Sequence, residues 1–355
     1  MNRIPFFMTT PSGLERKPRL KMSSTSKLVP KPSIQILIIR RDNIGDLVCT
    51  LPLISRLREH YPHAWIGALV TNYTEEVLQA NPELNTVFSY TKAKHLKENE
   101  SIFKTMYSRL KQLWQLRQKQ IDVILLPASG LQASARRMAK LIGAKRILEQ
   151  DDMLVDPTTL HEVERSACVL WALDIPKTKL PRAKIYPRSD LLVMMQTKLG
   201  VNSILGLHIS ARKLSERWPA ERYIELIQRL SIQSPQLRIA LFWSPGAKDN
   251  SMHPGDDTKA QIIIEACVGF SLIPIQVTSL AELIAGLAAC SKIICSNGGH
   301  MHLAAALSKP IVCLFGNADS ARWCPWGVPH QLIQPVSLNV NDITVEQVLT
   351  ALSHL

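Results

Sequence analysis

The chain has 355 residues, 46% of them hydrophobic, enough to fill two α/β cores of ordinary domain size. Its formal charge of +13 points to an acidic partner: nucleic acid, anionic lipid or phosphorylated small molecules. Only 6% of residues are aromatic and no zinc-finger, RNA-recognition or helix-turn-helix signature is present, which argues against nucleic acid.

No apolar run approaches the ~18 residues of a membrane span, and no signal-peptide core opens the chain, so a cytoplasmic protein is expected. The seven cysteines are odd in number and lie mostly in apolar patterns, which reads as buried free thiols in a reducing compartment. They form no Cys-x-x-Cys pair, and no metal site is expected.

Residues 1–33 mix Lys, Arg, Ser, Thr and Pro and read as a flexible basic arm. Arg16, Lys17, Arg19 and Lys21 either touch an anionic membrane face or belong to an inert tail. From Ile34 to Arg40 runs a β-branched strand, followed by the turn Asp42 to Asp46. The next helix carries Leu47, Leu51, Ile54 and Leu57 at helical spacing and ends near Tyr61-Pro62. Strands are expected at Trp65 to Val70, Thr86 to Tyr90 and Ile121 to Pro127, with a short helix at Thr74 to Gln79. Lys92 to Lys119 reads as a basic surface helix with Met106, Leu110, Leu113 and Leu116 on its apolar face. Ala133 to Ile142 and His161 to Leu173 are further helices, and the proline-rich stretch Pro176 to Pro187 marks a crossing between domains.

The second half repeats the pattern. Strands are expected at Ile204 to Ile209 and Leu237 to Trp243, helices at Ala220 to Leu230 and Lys259 to Cys267, and Ser279 with Glu282 forms a capping box. Ile293 to Leu307 then reads as a buried strand, a glycine turn and an alanine-rich helix, and Pro310 to Gly316 supplies the next strand. The amides of Gly298, Gly299 and His300 fall at a helix start, where a phosphate is favoured, although an ordinary strand-turn-helix joint has the same spacing. A terminal helix covers Val345 to Leu352. The fold class expected is α/β, with two doubly wound Rossmann-like domains facing a cleft. Their boundaries are an arm at 1–33, a first domain at 34–180, a second at 181–340 and a C-terminal helix at 341–355.

Two stretches together carry a family resemblance. One is Arg40-x-x-x-x-Gly45-Asp46 followed by Thr50-Leu51-Pro52. The other runs from Asn297-Gly298-Gly299 through Met301-His302-Leu303 and Leu314-Phe315-Gly316 to Arg322-Trp323-Cys324-Pro325-Trp326-Gly327. With His208, Arg217-Trp218-Pro219 and His161-Glu162 between them, they resemble glycosyltransferase family 9, the ADP-heptose:lipopolysaccharide heptosyltransferases. The resemblance implies the glycosyltransferase B architecture, a nucleotide-heptose donor as substrate with no cofactor, and inversion without metal. It also implies a lipopolysaccharide core or other glycolipid acceptor, reached at the inner face of the bacterial inner membrane; the missing signatures, not the resemblance, are the ground for expecting no nucleic-acid partner.

Spacing alone favours reading Asp46 as a helix cap; the resemblance reverses that and makes it the base that takes the acceptor's proton. Ser210, Lys213, Arg217, Asn297, Gly298, Gly299 and His302 are the donor-binding candidates. Lys213 and Arg217 either stabilise the leaving diphosphate or are simply solvated. His302 and His208 are either near the donor or packed in the core, and Trp323 and Trp326 either stack at the cleft rim or anchor the Pro325 turn. Family members usually carry aspartate where Asn297 stands, and Asp249 matches a nucleotide-contacting acid only loosely. A non-catalytic or differently specific nucleotide-sugar-binding homologue is therefore the alternative reading.

Overall fold

In the computed structural model the described residues are 33–90, 102–130, 132–152, 160–200, 203–247 and 255–355. The arm before Ser33 and the candidate Asp249 lie outside them. The unit Ser33–Leu355 is built on two sheets. The first contains β1 (Gln35–Ile39), β2 (Trp65–Thr71), β3 (Thr86–Tyr90), β4 (Val123–Leu126) and β5 (Arg146–Glu149), in the order β3-β2-β1-β4-β5. The second contains β6 (Ile204–His208), β7 (Arg238–Trp243), β8 (Leu272–Gln276), β9 (Lys292–Ser296), β10 (Ile311–Leu314) and β11 (His330–Ile333), in the order β11-β10-β9-β6-β7-β8. Every pairing is parallel, so each sheet is doubly wound. The strand order reverses between β1 and β4 and between β6 and β9. Ligands bind outside the carboxyl ends of strands at such switch points, which here means after Ile39, His208 and Ser296.

Alternate residues of each strand enter different cores. Ile36 and Ile38 of β1 share one continuous apolar cluster with Phe242, Ile293 and Cys295 of the second sheet, so the facing sides of the two lobes are packed together. Helices α9 (Leu280–Ala289) and α10 (Gly299–Ala306) supply much of that shared layer. On the outer face of the first sheet, Leu37 and Ile39 pack against α3 (Ile102–Gln118) and α4 (Ala133–Ile142). On the outer face of the second, Leu205 and Leu207 pack against α7 (Ala220–Gln233), α8 (Asp257–Ala266) and α12 (Val345–Ser353).

Several elements differ from expectation for identifiable reasons. The helix after β1 is two helices, α1 (Ile44–Val48) and α2 (Leu51–His60). Pro52 has no amide to give the Val48 carbonyl, and its ring crowds that group. Asn43 caps α1 at its start, so Asp46 lies inside that helix rather than in the turn before it. The helix expected at His161 to Leu173 is α5 (Glu162–Ala167) continued by a tighter turn, Cys168–Leu173. Elements that escaped the pattern include the edge strands β5, β8 and β11, of which β8 tolerates Pro274, and α6 (Ser189–Leu199), which packs on α9. All seven cysteines are free and six are buried.

Candidate active site

The chain leaves β9 through Asn297, whose amide bonds the Leu314 carbonyl at 2.9 Å and holds the turn against β10. The first bond of α10 runs from the Met301 amide to the Gly298 carbonyl, 3.1 Å. The amides of Gly298, Gly299 and His300 precede it, at a partly exposed helix head whose partial positive charge favours an anion. The glycines also answer to packing. A Cβ on Gly299 would stand 3.0 Å from Ile44 Cβ, and one on Gly45 would stand 2.7 Å from the His302 ring. Each glycine thus lets its helix close on a side chain of the other, and this packing of α1 on α10 sets Asp46, next to Gly45 in the first lobe, beside the head of α10 in the second.

Asp46 is 17% exposed at its side chain. Its Oδ1 accepts from Arg40 Nη2 at 3.1 Å, and its Oδ2 accepts from the Asn43 amide (3.1 Å) and Nδ2 (3.0 Å). The capping reading is thus met in a modified form: Asn43 occupies the cap and Asp46 closes the box three residues on, with one edge still reachable.

Arg40, buried, also meets Asp42 (3.1 Å), Glu162 Oε1 (3.1 Å) and Ser166 Oγ (3.2 Å). Burial opposes its charge, but Asp46, Asp42 and Glu162 outweigh that and raise its pKa. Glu162 is only 1% exposed. Its Oε2 accepts from Nη2 (2.7 Å) and Nε (2.9 Å) of Arg322 on α11 (Ser320–Trp323), while Arg165 Nε lies 3.4 Å away. A buried carboxylate therefore joins the arginine that holds Asp46 to an arginine of the opposite lobe.

The remaining candidates divide. Lys213 is exposed at the start of the turn Leu214–Glu216 after β6. Arg217 does not stand free at the site as expected: its Nε donates to the Ala211 carbonyl (2.8 Å) and its Nη1 pairs with Asp256 (3.4 Å). It braces the loop against the start of α8. Ser210 Oγ accepts from the Ser244 amide at 2.9 Å, tying the ends of β6 and β7. Glu216 is buried, and its Oε2 accepts from the Gly316 amide at 2.8 Å. Burial raises its pKa against the opposing pull of Gly316, Lys213, the Asn297 side chain and His300. A carboxylate is thus present beside Asn297 after all, supplied by another segment.

His302 is packed rather than open. Its Nδ1 lies 3.7 Å from Cys49 Sγ and its ring meets Trp323 edge-on at 5.9 Å. Burial first, then His161, pushes its pKa down to about 3. His208 stacks on His300 at 3.9 Å, and burial with that neighbour holds it well below the usual histidine range. His300 Nε2 donates to the Ser296 carbonyl at 2.8 Å. Trp326 anchors the Pro325 turn: its Nε1 donates to the Pro181 carbonyl (3.0 Å) and its ring lies against His161.

A pH dependence follows from His302 and His208. The unfolded chain binds their protons below about pH 6.5, whereas the folded chain leaves His302 neutral down to about pH 3. Folding stability is therefore lost progressively as pH falls through that window, by up to about 1.4 kcal/mol per pH unit per histidine. Urea denaturation between pH 7.5 and 5 is expected to show this slope, and His302→Gln to reduce it. An unchanged slope in the variant would remove His302 from the account.

Arg40, Glu162, Arg322 and Glu216 were not among the sequence candidates, although the first three lie inside or beside the family motifs. Among the described residues, no cluster of His, Cys, Asp and Glu is arranged to hold a metal ion.

Two lobes meeting at their switch points, with a carboxylate on one and a phosphate-favouring helix head on the other, make up the glycosyltransferase B type of fold. Residues 115–341 match the family model of glycosyltransferase family 9 (heptosyltransferase), and the chain belongs to that family. It is 25% identical over 301 residues to lipopolysaccharide heptosyltransferase 3 of Escherichia coli K12, covering 79% of this chain and 82% of that one. To lipooligosaccharide heptosyltransferase 2 of Haemophilus influenzae it is 26% identical over 305 residues, with 80% and 83% covered. The fold resembles that of E. coli heptosyltransferase WaaC with ADP at a TM-score of 0.71 and 17% identity, covering 90% and 99% of the two chains.

Proposed function

We propose that this glycosyltransferase inverts configuration without a metal, moving heptose from ADP-heptose to a lipopolysaccharide core acceptor. The observation that carries this reading is the position of Asp46 beside the α10 head. Asp46 takes the acceptor hydroxyl's proton as its oxygen attacks the anomeric carbon, on the face opposite the departing ADP. Arg40 keeps the carboxylate oriented for that transfer. Charge growing on the leaving diphosphate is met by the amides of Gly298, Gly299 and His300 and by Lys213. On the first lobe, burial and the neighbouring charges of Arg109 and Arg137 lower the Arg41 pKa, marking a cationic corner suited to acceptor phosphates and acidic sugars. The family and its lipopolysaccharide-acting relatives support the heptose and the acceptor.

The test is transfer itself: full-length protein, ADP-heptose and a lipopolysaccharide core lacking its terminal heptose, followed by ADP release and the anomeric configuration of the product. Product of inverted configuration, formed at the same rate with EDTA present, is expected. Retention of configuration, or a rate abolished by EDTA, would contradict the mechanism. Asn297 beside Glu216 favours a second reading, a different donor sugar. A panel of nucleotide sugars compared by thermal stabilisation separates the two, since the true donor gives the largest shift.

A further inference from the structure

Helix α3 meets the first sheet through Leu116, which is buried, and through Gln112, whose Nε2 donates to the Ser89 carbonyl at 2.9 Å. These contacts fix which side faces outward. The outward side carries Tyr107, Leu110 and Trp114, 70%, 61% and 62% exposed, at the i, i+3, i+7 spacing of one helical face. Met106 flanks them, and Leu141 of α4, also exposed, adjoins through the bond from Arg117 Nη1 to its carbonyl, 3.1 Å. The sequence pattern predicted Met106 and Leu110 on the inward face; the structure turns both to solvent. Single exposed apolar residues need no partner, but a continuous stripe with two aromatics does.

The surrounding charge identifies the partner. Lys111 and Arg117 border the stripe, Lys140 precedes Leu141, and no acidic residue occurs from Ile102 to Gln120. Tyr and Trp rings are at home where an apolar layer meets water, and lysine and arginine on the flanks seek phosphate headgroups. A second copy of the same face would set these cations against one another.

We propose that the outer face of α3, with Leu141, docks on an anionic phospholipid surface. Tyr107, Leu110 and Trp114 enter the headgroup boundary, while Lys111, Arg117 and Lys140 meet lipid phosphates. The proposal does not depend on the sugar chemistry, because binding is read without turnover. Vesicles of phosphatidylcholine alone and of phosphatidylcholine with phosphatidylglycerol are sedimented with the full-length chain and with a Tyr107→Ser, Leu110→Ser, Trp114→Ser variant. The wild type is expected to sediment with the anionic vesicles only, with its tryptophan emission shifted to the blue, and the variant to bind ~tenfold more weakly or worse. Lys111→Glu with Arg117→Glu, which leaves the stripe intact, is expected to weaken binding as well. Binding by both variants equal to the wild type would place the contact elsewhere in the chain and overturn the proposal. So would absence of wild-type binding, or light scattering that shows the stripe closed in a dimer which the serine variant dissociates.

Discussion

Asp46→Asn is expected to bind ADP-heptose within about twofold of the wild type yet to transfer heptose about 10²–10⁴-fold more slowly, the usual contribution of a general base. The substitution preserves shape, and the side-chain oxygen can still accept from Arg40 Nη2, now 3.1 Å away. What disappears is the capacity to hold the acceptor's proton. The loss should fall on kcat while donor affinity, read by calorimetry, stays put, as for an interaction made only in the transition state. A variant with normal kcat would mean that another group takes the proton. A variant that binds no donor would mean that Asp46 supports the fold or the donor instead.

Glu162→Ala should produce the largest stability change. Its carboxylate is 1% exposed and is the shared partner of Arg40, Arg165 and Arg322. Removing it leaves the buried Arg40 and the nearly buried Arg165 facing the partly exposed Arg322 without their shared anion, and breaking a buried pair in this way costs about 3–5 kcal/mol. The urea midpoint should fall accordingly. Glu162→Gln keeps the shape and should lose less stability, but it weakens the hold on Arg40 and so slows transfer through Asp46. Equal midpoints for wild type and Glu162→Ala would show that the interlobe ion cluster contributes nothing.

How far the sequence disclosed this site depends on the range of the interaction. The strands β1 and β9 were readable because apolar, β-branched runs bounded by turns leave little choice, and the glycine turn and Asp46 followed from their position after those strands. The link from Glu162 to Arg322 spans 160 residues, and no local spacing encodes it. Glu216 went unnoticed because nothing near it in sequence reveals that the Gly316 amide closes over its carboxylate. Spacing left Arg217 open between a diphosphate ligand and a solvated cation, because its partner Asp256 is 39 residues away and no local pattern joins them. In α3 the helical period admits two apolar stripes, and only the contacts of Gln112 and Leu116 select the inward one. Pro274 concealed β8, since a proline argues against a strand unless the strand lies at an edge.

The most direct test is a crystal structure of the full-length protein with ADP and a non-transferable heptose analogue. The account predicts the diphosphate on the amides of Gly298, Gly299 and His300, with the sugar's anomeric carbon between that turn and Asp46 and the carboxylate on the side away from the phosphate. A nucleotide seated at another place, or a sugar turned so that Asp46 lies behind the leaving group, would contradict it.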